Sequence, residues 1–224
     1  MTKTSEQTLA SDISEKLIAS IVNGEIPPGS KLSEPKLAQQ FTVSRGPLRE
    51  AIRRLEGLNL VRHVPREGAR VVTLDLKEVI EIYHVREALE GLAAGLAARN
   101  MTTQEIDELY QLLDVHEQYI DDNGEYFRQE GDFDFHYKII LGSKNQLLIK
   151  QLCHELYHLV RMFRYQTRKL KSRTQQALIE HKQLVNAIEQ RDEQLAELLM
   201  RRHISRAREN IESKLREQPN LNHT

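Results

Sequence analysis

Four residues in the second half of the chain could bind a metal ion together: Asp132, His136, His181 and His203. Asp132 and His136 are four residues apart, so a helix would place both side chains on one face. His181 and His203 each lie on the apolar stripe of a predicted helix, and the break between those helices is near Arg191. An antiparallel pair would therefore bring the two histidines to nearly the same height, ~15 and ~18 Å from the turn.

One carboxylate and three imidazoles form a ligand set for Zn²⁺, Ni²⁺, Mn²⁺ or a similar ion. A coordination number above four would leave room for water or an anionic ligand. The competing interpretation is that each histidine is a hydrogen-bonded core residue, which is the commoner case for a single histidine on an apolar face. The matched height of two histidines and the Asp-x-x-x-His pair favour the metal site.

Arg86 is a second candidate for binding chemistry because it falls on an apolar helical stripe with Val79, Ile82, Leu89 and Ala93. Its guanidinium is predicted to point into a helical bundle, where a buried arginine requires an anion. That anion is either Glu90, one turn later on the same helix, or the carboxylate of a bound ligand held bidentately. The sequence leaves both partners open.

A local excess of positive charge lies between Ser44 and Thr73. This stretch has seven arginines and three glutamates, a net charge of +4, whereas the whole chain has a formal net charge of −1. Such an excess is typical of a phosphate-binding face, although charge alone fits a solvated helix surface equally well. Spacing favours the first interpretation, since Arg45, Arg49 and Arg53 recur every four residues along one helix face.

The elements predicted around these arginines form a winged helix-turn-helix over residues 1–74. A helix over 9–23 and a short helix over 34–41 precede a helix over 45–58, for which Ser44 is the N-cap and Pro47 falls in the first turn. Two short strands, 60–64 and 69–73, flank a turn that carries Arg66. The basic helix could enter a major groove while the hairpin reaches the backbone or the minor groove.

From residue 75 to 224 the pattern is helical throughout. Asp75 is predicted to cap a long helix that ends near Asn100, and Thr102 with Glu105 forms a capping box for the next. Further helices are predicted over 125–141, 146–170, 172–190 and 192–216. The fold is therefore predicted to be mainly α, with an N-terminal winged helix-turn-helix and a C-terminal all-α helical bundle.

Composition narrows the class of protein. The chain has 224 residues and a single cysteine, Cys153, which excludes an internal disulfide and fits a reducing cytoplasm. No apolar run approaches the ~20 residues that cross a bilayer, and the N-terminus lacks the pattern of a secretory signal. A cytoplasmic protein without a membrane partner is predicted.

Residues 24–72 closely resemble the DNA-binding domain of the GntR family of bacterial regulators, through the PPGSKLSE turn, SRGPLREA and the wing sequence PREGARV. The helical remainder resembles the FCD sensor domain of the FadR-type subfamily. The matching motifs are VREALE at 85–90, DFDFH at 132–136, EH at 180–181 and HI at 203–204.

The resemblance implies a homodimer that binds a pseudo-palindromic operator in double-stranded DNA, with an affinity controlled by a small organic acid. It implies metal binding through Asp132, His136, His181 and His203. The DNA-binding residues are predicted to be Ser44, Arg45, Pro47, Arg49, Arg53, Arg66 and Gly68. Pro35 departs from the pattern, since many relatives have a basic residue there.

A short hydroxy- or polycarboxylate that chelates the metal, such as an acid of the citrate or methylcitrate kind, is the predicted effector, with Arg86 as its protein contact. A repressor that responds to this acid is the leading hypothesis, and an enzyme is not predicted. A metal-dependent enzyme would need a general base, and the only nearby candidate, Asp134, is predicted to face elsewhere. A third alternative is a structural metal, or none, with the acid bound by Arg86 alone.

Overall fold

The computed structural model describes residues 2–123, 131–166 and 173–217, without the side chains of 2–8, 119–123, 131–134, 166, 174, 215 and 217. The chain divides into two compact units, one of Met1–Leu74 with His154–Thr167 and one of Asp75–Cys153 with Arg168–Thr224. In chain order the elements are α1 (Thr2–Val22), α2 (Glu34–Phe41), α3 (Arg45–Gly57), β1 (Val61–Val64), β2 (Gly68–Val71), α4 (Leu76–Asn100), α5 (Thr103–Asn123), α6 (Gly131–Gly142), α7 (Gln146–Ile149), a π-helical stretch (Lys150–Leu156), α8 (Tyr157–Gln166), α9 (Thr174–Glu189) and α10 (Glu193–Glu217).

The first unit contains the predicted winged helix-turn-helix. Strands β1 and β2 pair antiparallel, with Val61 opposite Val71 and Val64 opposite Gly68. The apolar face of α3 is buried against α1, and its most enclosed side chains are Leu48, Ala51 and Leu55. This arrangement follows from the sequence, because apolar residues at helical spacing leave the arginines on the opposite face.

Helix α8 also belongs to the first unit. Leu159 and Met162 are buried in the same apolar core as Leu48 and Leu55. The sequence pattern predicts one uninterrupted helix over 146–170 within the C-terminal bundle. The structure instead has the π-helical stretch between α7 and α8, and α8 packs with residues of the DNA-binding half of the sequence.

The second unit is built around the antiparallel packing of α4 and α10. Two glycines allow the close approach: a Cβ atom on Gly91 would lie 2.4 Å from Cγ of Arg201, and one on Gly95 would lie 3.1 Å from the carbonyl oxygen of Glu193. Helix α4 begins at the predicted cap, Asp75, which accepts from the backbone of Glu78 at 2.8 Å and forms a capping box with it. The mainly α fold is confirmed.

The turn between α9 and α10 is anchored to the end of α4. Arg191 adopts a left-handed backbone conformation there, with φ of 61°. Its guanidinium donates to the carbonyl oxygens of Ala98 at 3.0 Å and Met101 at 2.6 Å, where the helix has carbonyl groups without intrahelical partners. Among the described residues, no helix is both long and apolar enough to cross a membrane.

The placement of α8 predicts that its core residues stabilise the first unit. We expect Met162→Ala to lower the free energy of unfolding by about 2–5 kcal/mol, because Met162 is only 1% exposed. The measurement is chemical denaturation of the full chain. Leu147→Ala is the control, since Leu147 is 75% exposed and its loss should cost less than about 0.5 kcal/mol. Equal stabilities of the two variants would contradict this packing.

Candidate functional site

Helix α3 presents an exposed cationic face. Arg45, Arg49 and Arg53 are all exposed, whereas Pro47 and Leu48 on the other side are buried. Arg49 is held in place by Glu34 at the start of α2, because its Nε donates to a carboxylate oxygen at 2.8 Å. Within the described part of the chain, Arg45 and Arg53 make no ion pair, which leaves both guanidinium groups available to phosphates or bases.

The wing adds another exposed arginine to the three of α3. Arg66 lies in the β1–β2 turn with φ of 67°, and Gly68 follows with φ of +91°. A side chain at Gly68 would meet no neighbouring atom, so it is the positive φ that favours glycine there. Ser44 is the N-cap residue of α3 and is exposed, although its side chain makes no capping hydrogen bond. Pro47, another of the predicted DNA-binding residues, is buried in the first turn of α3, and its contact with DNA stays a prediction.

Three histidines of the second unit converge in its interior. His136 on α6, His181 on α9 and His203 on α10 are all buried, and one ring nitrogen of each lies within 4.8 Å of the others. The Nε2 atoms of His181 and His203 are 3.3 Å apart. The expectation that these histidines meet inside the bundle matches this geometry.

Aromatic contacts restrict the orientation of the imidazole rings. Phe135, which is fully buried, stacks on His181 with ring centroids 4.0 Å apart and an interplanar angle of 22°. The ring centroid of His136 lies 5.4 Å from that of His181 and 5.1 Å from that of His203. Packing this tight leaves the rings little freedom to turn away from their common centre.

Two buried glutamates contact the outer nitrogens of the cluster. Glu90 on α4 lies 2.7 Å from Nδ1 of His136, and Glu180 on α9 lies 2.8 Å from Nδ1 of His203. Burial raises the pKa of Glu90, but the charge of Arg86 and the contact with His136 outweigh this effect and lower it to about 2. Burial likewise opposes ionisation of Glu180, yet hydrogen bonds from His203, Arg206 and Arg173 lower its pKa to about 2.

Arg86 is buried and points into the unit, as its position on the apolar stripe predicts. Its Nε donates to Glu90 at 2.6 Å, so the glutamate one turn later is a partner of the guanidinium. The guanidinium carbon also lies 4.8 Å from the ring centroid of Tyr83, a cation–π contact. A role for Arg86 in binding a carboxylate effector stays a prediction.

One distance in the histidine cluster matches that between two ligands of a tetrahedral metal ion. Zn–N bonds of about 2.0–2.1 Å place two tetrahedral nitrogen ligands about 3.3–3.4 Å apart, and the Nε2 atoms of His181 and His203 are 3.3 Å apart. Burial lowers the pKa of His203 to about 4, against the effect of Glu180, so this imidazole is neutral and able to ligate at neutral pH. Asp132, the fourth predicted ligand, lies in α6 one turn before His136, and its side chain is outside the described residues.

Several residues of this site were not predicted from the sequence. Glu180 accepts hydrogen bonds from Arg173, from Arg206 at 2.7 Å and from His203 at 2.8 Å. Its only sequence signal was its place beside His181 in a family motif. Glu90 was considered as a partner of Arg86 alone, whereas it also contacts His136.

Comparison with known protein families matches residues 9–71 to the bacterial regulatory proteins of the gntR family. Residues 81–206, more than half of the chain, match the FCD domain. The chain belongs to the GntR family. This GntR regulator is therefore a transcriptional regulator and not an enzyme, and its two domains imply binding of DNA and of a small-molecule effector.

Some relatives of this GntR regulator match it along most of their length. It is 30% identical over 202 residues to the HTH-type transcriptional regulator YdhC of Bacillus subtilis, with 88% of each chain covered. It is 28% identical over 192 residues to the HTH-type transcriptional repressor GlaR of Escherichia coli, with 82% of this chain and 87% of GlaR covered. The structure of E. coli McbR/YncC has the same fold, with a TM-score of 0.73 and 23% identity over 95% of this chain and 99% of that chain.

The buried histidines predict a pH-dependent stability. Burial lowers the pKa of His116 and of His203 from 6.5 to about 4. Between those values the unfolded chain binds more protons than the native protein, so the free energy of unfolding rises with pH. We expect the thermal midpoint of the metal-free regulator to fall as pH is lowered from 6.5 to 4.5, and His116→Asn to flatten this dependence. A wild-type midpoint constant over that interval would contradict the assignment.

Proposed function

We propose that this GntR regulator is a cytoplasmic repressor that binds a pseudo-palindromic operator as a homodimer. A small carboxylic acid, bound at a metal ion in the FCD domain, controls its affinity for DNA. The observation that carries the proposal is the convergence of His136, His181 and His203 on one buried point of that domain. A full-length relative named as a repressor, GlaR, supports the sign of regulation.

The donor set decides which ions are expected. Three imidazoles suit Zn²⁺ or Ni²⁺, and the carboxylate of Asp132 would complete a set that also accepts Mn²⁺. A bound ion would supply Lewis-acid coordination for the oxygens of an anionic effector. Zinc is the favoured ion, because the separation of the Nε2 atoms of His181 and His203 equals that of two tetrahedral ligands.

Arg86 gives the site a second means of recognising an acid. It is a buried cation on α4 whose Nε is bonded to Glu90, which in turn contacts His136. A carboxylate that reached the cluster would meet positive charge from both the ion and the guanidinium. A hydroxy- or polycarboxylate of the citrate or methylcitrate kind would satisfy both, since one oxygen pair can chelate while another carboxylate binds arginine.

Regulation requires that the effector bind with different affinities to the state of high operator affinity and to the state of low operator affinity. An acid that binds more tightly to dimers with low operator affinity shifts the population toward them, and DNA weakens acid binding by the same factor. The exposed arginines of α3 and the wing would form the output surface. We infer that Arg45, Arg49, Arg53 and Arg66 contact DNA with Ser44 and the backbone at Gly68.

Loss of a cluster histidine should remove metal binding. We expect added Zn²⁺ to raise the thermal midpoint of the metal-free wild type, and His181→Ala and His203→Ala to abolish that rise. At 100 times its dissociation constant a ligand stabilises by about 2.7 kcal/mol, which thermal-shift measurement detects. His154→Ala, which removes an exposed histidine outside the cluster, serves as the control and should respond as wild type does.

The same assay identifies the effector class. Citrate, methylcitrate and shorter hydroxy acids are each added to protein with and without Zn²⁺, and stabilisation should depend on the metal. Stabilisation that is equal without metal would instead favour binding by Arg86 alone. No stabilisation by any carboxylate, together with an unchanged affinity for the operator, would refute acid control.

Removal of one recognition arginine should weaken operator binding. We expect Arg45→Ala to lower the affinity for an operator selected from genomic fragments by about 1–3 kcal/mol, because a bidentate contact with a base edge is lost. Fluorescence anisotropy at several salt concentrations gives the affinity and its salt dependence. Arg99→Ala is the matched control, since it removes an exposed arginine of the second unit that pairs with Glu193. Equal losses in both variants would contradict the assignment of α3.

A further inference from the structure

Each of the two glutamates at the histidine cluster contacts a cluster histidine as well as an arginine. Glu90 uses one oxygen for Arg86 at 2.6 Å and the other for Nδ1 of His136 at 2.7 Å. Glu180 uses Oε2 for Nδ1 of His203 at 2.8 Å and Oε1 for its two arginine partners. The side chains of both glutamates are at most 6% exposed.

We propose that Glu90 and Glu180 are the positioning residues of the metal site, each holding one ligand histidine in the tautomer that turns its Nε2 lone pair toward the ion. This inference rests on the proposed function, because it assumes that the cluster binds a metal. It assigns the two glutamates to recognition of the metal rather than to stability of the fold alone.

The direction of the hydrogen bonds supports this assignment. An ionised carboxylate is acceptor-only, so the imidazole nitrogen that faces it must carry the proton. Nδ1 of His136 and Nδ1 of His203 are therefore the donors, and in a neutral ring the opposite nitrogen, Nε2, is left as an acceptor; in His203 this atom lies 3.3 Å from Nε2 of His181. A histidine that binds a metal usually donates its other ring N–H to such a partner, which sets the tautomer and raises the basicity of the ligand.

The two positioning contacts come from different parts of the second unit. Glu90 is on α4 and reaches across to α6, whereas Glu180 is on α9 and reaches α10. Two of the three cluster histidines thus receive a carboxylate from another helix: His136 on α6 from α4, and His203 on α10 from α9, which also carries His181. Glu90 additionally joins His136 to Arg86, so the predicted effector contact and one metal ligand share a single side chain.

Substitution of each glutamate by glutamine separates shape from charge. Glutamine has the same length but only one acceptor oxygen. Its NH₂ group would therefore face an N–H group that now donates a hydrogen bond to the carboxylate. We expect Glu90→Gln and Glu180→Gln each to weaken Zn²⁺ binding by about 10–100-fold, the usual effect of losing such a partner. The affinity is measured on the full-length protein at neutral pH by competition with a chromophoric chelator.

Glu108→Gln is the matched control. Glu108 forms an ion pair with Lys138 on α6, the helix that carries His136, at 2.7 Å. It therefore braces the same helix without contacting a ligand histidine, and its variant should bind Zn²⁺ as wild type does. A comparable loss in Glu108→Gln would show that any weakened contact of α6 lowers affinity, and would overturn the positioning role.

Ring-nitrogen NMR supplies a readout that a merely structural role would not move. In the Zn²⁺-loaded wild type, His136 and His203 should carry their protons on Nδ1, and each glutamine variant should perturb only the histidine that its glutamate contacts. Protons on Nε2 in either histidine of the wild type would overturn the proposal, even if a variant failed to fold. A wild type that binds none of Zn²⁺, Ni²⁺ and Mn²⁺ would instead refute the proposed function itself.

Discussion

The hydrogen bond from a buried imidazole to a buried carboxylate is the interaction around which the second unit is organised. An ionised carboxylate in a protein interior costs several kcal/mol of free energy unless charged or hydrogen-bonding partners replace its water. Glu90 meets this requirement with Arg86 and His136, and Glu180 with His203 and two arginines. Each partner lies on a defined helix face, so helices that carry these residues cannot slide or rotate without leaving a charge unpaired.

Small residues make these contacts geometrically accessible. Helices can approach closely only where side chains are absent or short, and α4 presents Gly91 and Gly95 to α10. At the other end of this interface Arg191 donates to the last carbonyls of α4. The backbone positions are thereby set by packing, and the carboxylates then select one arrangement of the imidazoles within that frame.

Helix ends and buried helix faces could be predicted from local signals in the sequence. The contacts between residues of different helices could not. The capping boxes at Asp75 and Thr102 and the bounds of α2 follow from rules that involve neighbours three or four residues away. Helical periodicity also placed Arg86 and His181 correctly on inward faces. It could not tell which residue on another helix each would meet, because a periodic pattern defines a face and carries no information on the neighbouring element.

The packing of α8 is a second case in which a periodic pattern does not identify the neighbouring element. Its apolar stripe, with Leu159 and Met162, is equally suited to any complementary core, and length alone suggested that it continued the helix from Gln146. The structure interrupts that helix with a π-helical stretch and places α8 in the core of the first unit. Chain connectivity gives this placement a consequence: α6, with His136, precedes α8 in the sequence, and α9, with His181, follows it. These two ligand-bearing helices of the second unit are therefore separated in the sequence by a helix that belongs to the first unit.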